Sequence, residues 1–474
     1  MSKSLLWFRN DLRIHDNEAL MLASDNNEML PVYCFDPRHF AESSFGFQKT
    51  GPYRTQFLIE SVSNLRSNLQ QIGADLIVRT GKPEEILPAL TTEYDIDTIY
   101  AHKEVTGEEV QVEKYLEKNT DASIEWCWGA TLFHRDDIPY DFDSIPEVFT
   151  NFRKQVEKKS RVRELQAPPK QLTLLSGVEA GEIPSCTDLG VKAVEIDKRS
   201  VLQFKGGETE ALRRLNEYFW DRDRLKDYKF TRNGLLGADY SSKFSPWLAN
   251  GCLSPRKIYR EVQQYETERK KNVSTYWMIF ELIWRDYFRY SAMKYGDSLF
   301  LAGGIQQKER EWSTDRDVFN KWADGETGIP FIDANMREIN NTGYMSNRGR
   351  QNAASFLAQN LNIDWRMGAE YFESLLIDYD VCSNYGNWMY NSTVGQDPGN
   401  RYFNIVNQAR KYDPDGEYVK HWLPELRNVP DEHIHEPHKL TDEEQEEHGV
   451  IIGEDYPAPM LDLEASYREI RNRD

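Results

Sequence analysis

"LIDYDVCSNYGNW", residues 376–388, decides how the second half of this chain is read. Asp378 and Asp380 stand two apart, Asn384 and Asn387 follow, and Trp388 closes the run. The segment just before it, "WRMGAEYFESLL" (365–376), has the apolar spacing of a helix that packs inward. So many hydrogen-bonding side chains beside core leave two readings. They form a solvated turn, or they line a polar, planar ligand buried among helices.

Outward from that run, helical spacing dominates from about residue 205. It is seen in "GETEALRRLNEYFW" (207–220), "YWMIFELIWRDYFRYSAMK" (276–294) and "NRGRQNAASFLAQNL" (347–361), which predicts an all-helical region. The first 130 residues differ. Short runs rich in Val, Ile, Leu and aromatics at 4–9, 30–35, 75–80, 97–102 and 123–128 alternate with amphipathic stretches such as "RTQFLIESVSNLRSNLQQIG" (54–73). That alternation predicts a Rossmann-like parallel sheet with helices on both faces. No GxGxxG follows the first strand, which disfavours an NAD site. Residues 131–204 are irregular and read as a long linker crossing the surface. Residues 431–474, with "TDEEQEEHG" (441–449), read as a poorly ordered, solvated acidic tail. The fold class expected is therefore α/β plus all-α. It comprises a sheet domain (1–130), a linker (131–204), a helical domain (205–430) and a tail (431–474).

Bulk properties narrow the function. A net charge of −20 argues against non-specific nucleic-acid binding over the whole surface but leaves room for a local basic patch. No run approaches 18 apolar residues, and the N-terminus lacks a signal or transit pattern, so a cytoplasmic monomer without membrane contact is expected. Cys34, Cys127, Cys186, Cys252 and Cys382 are scattered without CxxC, which favours reduced thiols over disulfides or a metal site. In the helix predicted over 275–294, Glu281, Trp284 and Phe288 share a face, and Glu281 stands four residues from Arg285, close enough to pair. This helix reads as core with an internal ion pair, or as a cleft wall where Trp284 stacks on a flat substrate and Glu281 bonds its edge.

Four motifs carry a resemblance: "SSKFSPWLANGCLSPRKIY" (241–259), "FELIWRDYF" (280–288), "TGIPFIDANMREINNTGYMSNRGRQNAASFL" (327–357) and "LIDYDVCSNYGNWMY" (376–390). In order and spacing the chain resembles the photolyase/cryptochrome family. "DPRHFAESSFGFQKTGPYRTQFLIESV" (36–62) and "QARKYDPDGEYVKHWLPEL" (408–426) resemble its DASH-type cryptochromes. The resemblance implies non-covalent FAD in the helical domain. Tyr228 and the loop Ser241, Ser242, Lys243, Phe244 and Ser245 would surround its phosphates, though the same loop also suits a plain helix cap for "PWLAN". Asn347, Arg350, Asp378, Asp380 and Asn384 would surround the flavin ring, with Arg350 paired to Asp378. The amide of Asn384 would reach the redox-active nitrogen, accepting or donating as needed. Trp388, Trp365 and Trp312 match the family's tryptophan chain for photoreduction.

The resemblance also implies a substrate wall of Glu281, Trp284, Gln351 and Tyr390. There, repair enzymes of the family hold a flipped cyclobutane pyrimidine dimer that is split by an electron from excited reduced FAD. Duplex-acting members carry Met and Trp where this chain has Gln351 and Tyr390, and tend to carry Arg where it has Asn404. Flipping a base from a duplex costs a few kcal/mol, and stacking returns about 1–3 kcal/mol per base. A more polar pocket recovers less, so single-stranded or looped DNA is the expected partner. Arg348, Arg401, Arg410, Lys411, Lys229 and Arg232 are candidates for a basic rim, each of them singly also readable as a solvated charge. Glu109, with Glu108 beside it, fits the region that holds a 5,10-methenyltetrahydrofolate antenna, or is a solvated helix residue. Three functions compete: a light-driven lyase, a blue-light photoreceptor, and a flavin- or nucleotide-dependent oxidoreductase outside the family. The intact Glu281–Trp284 wall favours the first.

Overall fold

The computed structural model describes residues 2–25, 27–396 and 402–472. Five parallel strands, β1 (Ser2–Phe8), β2 (Asn27–Phe35), β3 (Ile77–Thr80), β4 (Thr98–His102) and β5 (Ser123–Cys127), form one sheet in the order β3-β2-β1-β4-β5. Alternation along β1 explains its central place. Leu6 and Phe8 enter the core under the helices Glu18–Ser24 and Pro52–Gln71, whereas Leu5 and Trp7 enter a separate core under Pro83–Tyr94 and Gly107–Asn119. Both faces are thus covered, as a parallel sheet requires. From Glu208 onward the described residues form only helices and loops, whose core is continuous with the Leu6–Phe8 side of the sheet.

Buried charges join the two halves. Asp16 pairs with Arg256 at 2.9 Å, both side chains almost wholly enclosed. Arg13 donates to the carbonyls of Gly251 (2.8 Å), Asp16 (3.0 Å) and Gly129 (3.2 Å). Asp286 accepts from the backbone N–H groups of Leu132 and Phe133, each at 2.9 Å.

Two segments depart from expectation. Residues 131–204 do not merely cross the surface: Phe149, Phe152 and Val156 of the helix Phe149–Lys159 are buried, as are Leu172 and Leu175 beside β2. The acidic segment after residue 430 is not a loose tail. Its densest acidic run forms the helix Asp442–His448, which buries nothing, while Val450, Tyr456, Tyr467 and Ile470 are buried. The Tyr456 hydroxyl donates to Asp333 (2.5 Å), and the Ile405 N–H donates to the Tyr467 hydroxyl (2.8 Å). Sparse apolar anchors thus outweigh the acidic composition. Among the described residues no helix is long and apolar enough to cross a membrane, and no cluster of three metal-ligating side chains occurs.

Tyr456→Phe tests this anchoring. It deprives buried Asp333 of a hydrogen bond and should cost about 1–3 kcal/mol, read as a lower urea midpoint; an unchanged midpoint would mean that the C-terminal segment contributes nothing.

Candidate functional site

A cavity of ≈ 220 Å³ opens inside the helical half, lined by Ser245, Asn347, Arg350, Gln351, Asp378, Asp380, Asn384 and Trp388 among others. Three helices supply most of this lining: Asn347–Ser355, Trp365–Leu375 and Val381–Asn391. The opening stretch of sequence is therefore cavity wall rather than a solvated turn. Asp380 caps the last of these helices by accepting from the Ser383 N–H at 2.8 Å. Burial opposes its charge, but Arg285, Arg289 and that N–H outweigh burial and hold its carboxyl below the usual range.

Arg350 donates to the Met345 carbonyl and, at 2.9 Å, to Asp378 Oδ2, while Asp378 Oδ1 is buried without a partner. The helix that carries Arg350 needs Gly349, where a Cβ would fall 1.8 Å from Asn335 Oδ1. Asn384 donates to the Ala369 carbonyl at 3.0 Å, which leaves Oδ1 as its cavity-side atom. With its Nδ2 so engaged, the amide oxygen is the group that Asn384 has left to offer a ligand.

The loop 241–245 lies beside this cavity. Arg214, fully buried, donates to the Ser242 carbonyl (3.2 Å) and the Ser241 carbonyl (3.4 Å) and fixes the loop. Lys243 takes a left-handed backbone (φ 56°) and buries its amino group 3.1 Å above the Tyr240 ring, where it reaches Ser241 Oγ at 3.4 Å. Burial pushes that amine well below its ordinary range. The Phe244 ring packs against Tyr218 and Phe219, so its expected contact with a cofactor can only be through its backbone. Tyr228 is buried, and burial followed by nearby Glu281 pushes its hydroxyl up.

The helix Val273–Tyr295 carries the second wall. Glu281 pairs with Arg232 at 2.9 Å, not with Arg285 as the four-residue spacing suggested. Arg285 instead turns to the carbonyls of Ala130 and Leu248. Backbone acceptors on other elements outcompete the local pair. Burial pushes the Glu281 carboxyl up, and Arg232 opposes this. Trp284 stacks on Phe149 at 3.6 Å and meets Tyr390 edge-on at 6.4 Å. Gln351 Oε1 is buried without a partner.

Of the basic rim, Arg348 lies 4.5 Å over Tyr412 and donates to Asn233. Lys411 lies over the same ring, and Lys229 over Trp277 at 4.4 Å. Arg410 is engaged by Glu436 at 2.8 Å. Asn404 caps the helix Ile405–Tyr412. Arg401 lies outside the described residues.

Trp388 borders the cavity and packs on Phe372 and Trp322. Trp365 and Trp312 donate to one carbonyl, Ala302, at 3.0 and 3.2 Å, which brings them together. Gly368 is required here, since a Cβ would fall 2.2 Å from the Trp388 ring. In the sheet domain, Glu109 accepts from Thr106 and is pushed up by burial and Glu104. Glu108 is exposed and pairs with Lys49. The sequence reading missed Arg214, Tyr240, Phe149 and Glu338. Glu338 and Arg214 stood in quoted stretches, but none of the four has a spacing signal, because their roles come from distant partners.

The uncompensated groups test the fit to FAD. A buried ammonium at Lys243 suits an anionic ligand part, and Asp378 Oδ1, Gln351 Oε1 and Asn384 Oδ1 suit the polar edge of a ring. These residues fit that group.

Comparison with known proteins gives the family. Residues 277–473 match the FAD binding domain of DNA photolyase, and residues 4–171 match the DNA photolyase family. Cryptochrome DASH of Gloeobacter violaceus is 55% identical over 97% of this chain and 93% of its own. A crystal structure of the Synechocystis cryptochrome superposes with a TM-score of 0.97 at 51% identity, covering 100% of this chain and 99% of that one. A class III photolyase from Agrobacterium tumefaciens gives 0.85 at 27% identity, covering 100% and 98%. The fold and the site thus define a flavin-binding protein of the photolyase type. The chain belongs to the photolyase/cryptochrome family, in its DASH-type branch.

Two measurements check the electrostatics. Arg350→Ala leaves Asp378 buried and alone, a loss of about 3–5 kcal/mol in stability; flavin absorbance of the purified protein should fall with it. Burial pushes Glu338 up to about 7, above its unfolded value, so its stabilising contribution is full below about pH 4.5 and is lost as pH rises through 7. Glu338→Gln should therefore reduce, without abolishing, the loss of stability that the parent shows between pH 5 and pH 8 in urea titrations, because Asp286 and Glu373, also raised to about 7, titrate in the same window.

Proposed function

We propose that the protein is a light-driven lyase that splits cyclobutane pyrimidine dimers in single-stranded or looped DNA. The observation that carries this reading is the second wall: Glu281, Trp284, Gln351 and Tyr390 supply a carboxyl group, a flat ring and two polar edges next to a flavin-type cavity. When bound, FAD supplies a photoexcitable electron donor. The protein does the rest. Trp284, held by Phe149, stacks on the extruded lesion, and Glu281 addresses its polar edge. Burial opposes the Glu281 charge and Arg232 supports it, so the carboxyl and its guanidinium partner together face charge developing on the dimer. Trp388, Trp365 and Trp312 carry an electron inward from the surface.

The strand preference rests on polarity. Gln351 and Tyr390 make a weaker stacking pocket than Met and Trp, and Asn404 spends its side chain on a helix cap instead of a backbone phosphate. The reading includes a folate antenna held at Glu109 and a cytoplasmic monomer. A blue-light photoreceptor is the second reading. It shares the flavin site and the Trp365–Trp312 pair with the lyase, so the second wall alone separates the two readings.

Illumination of the reduced protein with thymine-dimer oligonucleotides separates the two. Single strands should be repaired at least tenfold faster than duplexes, and a failure on single strands leaves the photoreceptor. Glu281→Ala should slow repair about 10- to 100-fold, the worth of a charge-assisted hydrogen bond, with flavin absorbance unchanged.

A further inference from the structure

Phe230 is the most exposed large apolar side chain among the described residues, 73% open to solvent. Exposed single apolar residues are common and mean little alone. Its neighbours set this one apart. It sits on the four-residue helix Tyr228–Thr231, where Tyr228 turns into the core. Two residues on, about 200° round the helix, Phe230 faces the opposite way. Lys229 and Arg232, three residues apart, both lie over Trp277, at 4.4 and 5.8 Å to the ring centre. Trp277 precedes Glu281 by one turn, and Arg232 is the residue paired with Glu281. Continuing from there, Arg348 donates to Asn233 and lies over Tyr412. On a body of net charge −20, this edge carries Lys229, Arg232, Arg348 and Lys411 interleaved with Phe230, Trp277 and Tyr412.

Cations gathered beside one exposed ring match one ligand class, a single-stranded nucleic acid. Its bases stack on any aromatic face, and its phosphates need positive charge. We infer that Phe230 forms a stacking step for an unpaired base flanking the lesion, with Lys229 and Arg232 holding the adjacent phosphate, while Trp277, stacked on Phe280, supports the two cations from beneath. The inference rests on the lyase reading for the word "lesion" but not for strand binding itself. It also gives a physical source for the strand preference. A base paired within a duplex cannot lie on an exposed ring, so the step adds affinity only when the flanking base is free.

Phe230→Ala is the test, because a side chain so exposed can be removed without disturbing the core. Binding of undamaged oligothymidylate, read by fluorescence anisotropy, should weaken at least fivefold. Repair of an isolated thymine-dimer dinucleotide, which has no flanking base, should stay at the parent rate. Phe230→Tyr should restore oligothymidylate binding, and Lys229→Ala should lower the salt slope of binding by about one. Parent-like oligothymidylate binding by Phe230→Ala overturns the inference, as does equal loss on the dinucleotide. If the parent repairs no dimer, the lyase reading fails, and selective loss of oligothymidylate binding in Phe230→Ala still supports the stacking step. If the parent binds no oligothymidylate, the step itself is overturned.

Discussion

The structure depends on a buried charge lock between its two halves. Asp16, at the end of the loop after β1, meets Arg256 at the start of the helix Pro255–Glu268, while Arg13 reaches carbonyls on the sheet domain and the helical half at once. A guanidinium removed from water is tolerated only where several acceptors replace the water. The sheet domain and the helical domain must therefore sit where those acceptors converge. Asp286 repeats the device farther on, pinning residues 132 and 133 to the helix that bears Glu281 and Trp284.

From that lock follows the placement of both walls. The helix Val273–Tyr295 is held on one side by the linker, through Phe149 on Trp284 and the Leu132–Phe133 bonds. On its other side it meets the helix Val381–Asn391. The linker is thus a structural part of the site. It fixes the plane of the tryptophan on which a flat substrate would rest, and a free loop could not do so.

The cavity itself is a case of polar groups kept unsatisfied by design of the fold. A buried carboxylate oxygen on Asp378, an amide oxygen on Gln351 and an ammonium on Lys243 each carry a desolvation cost. Elsewhere the chain settles such costs internally, as when Asp333 takes bonds from Thr327 and Tyr456. Asp378 and Gln351 border the cavity, where the polar edge of a flavin ring would meet those oxygens. Arg350 shows the division of labour, with one edge spent on Asp378 and the Met345 carbonyl and the remainder near the cavity.

Much of this was legible in one dimension. Strand runs of five or six apolar residues, the switch to helical spacing, and the polar run 376–388 are local patterns, and local patterns set secondary structure and the inward face of each element. The same logic placed Asp378, Asp380, Asn384 and Trp388 together, since they share one loop and helix start. Local spacing misled where a nearer neighbour in sequence lost to a better one in space. Arg285 left Glu281 for two carbonyls, and Arg232, 49 residues away, took its place. Composition misled for the C-terminal segment, because acids on one helix say nothing about the few tyrosines that anchor it. The sequence by itself determined the elements, their faces and the residue types around the cavity. Only the tertiary structure decided which charges pair, which amide end faces inward and which ring stays exposed. Those outcomes turn on desolvation and distance between segments far apart in the chain.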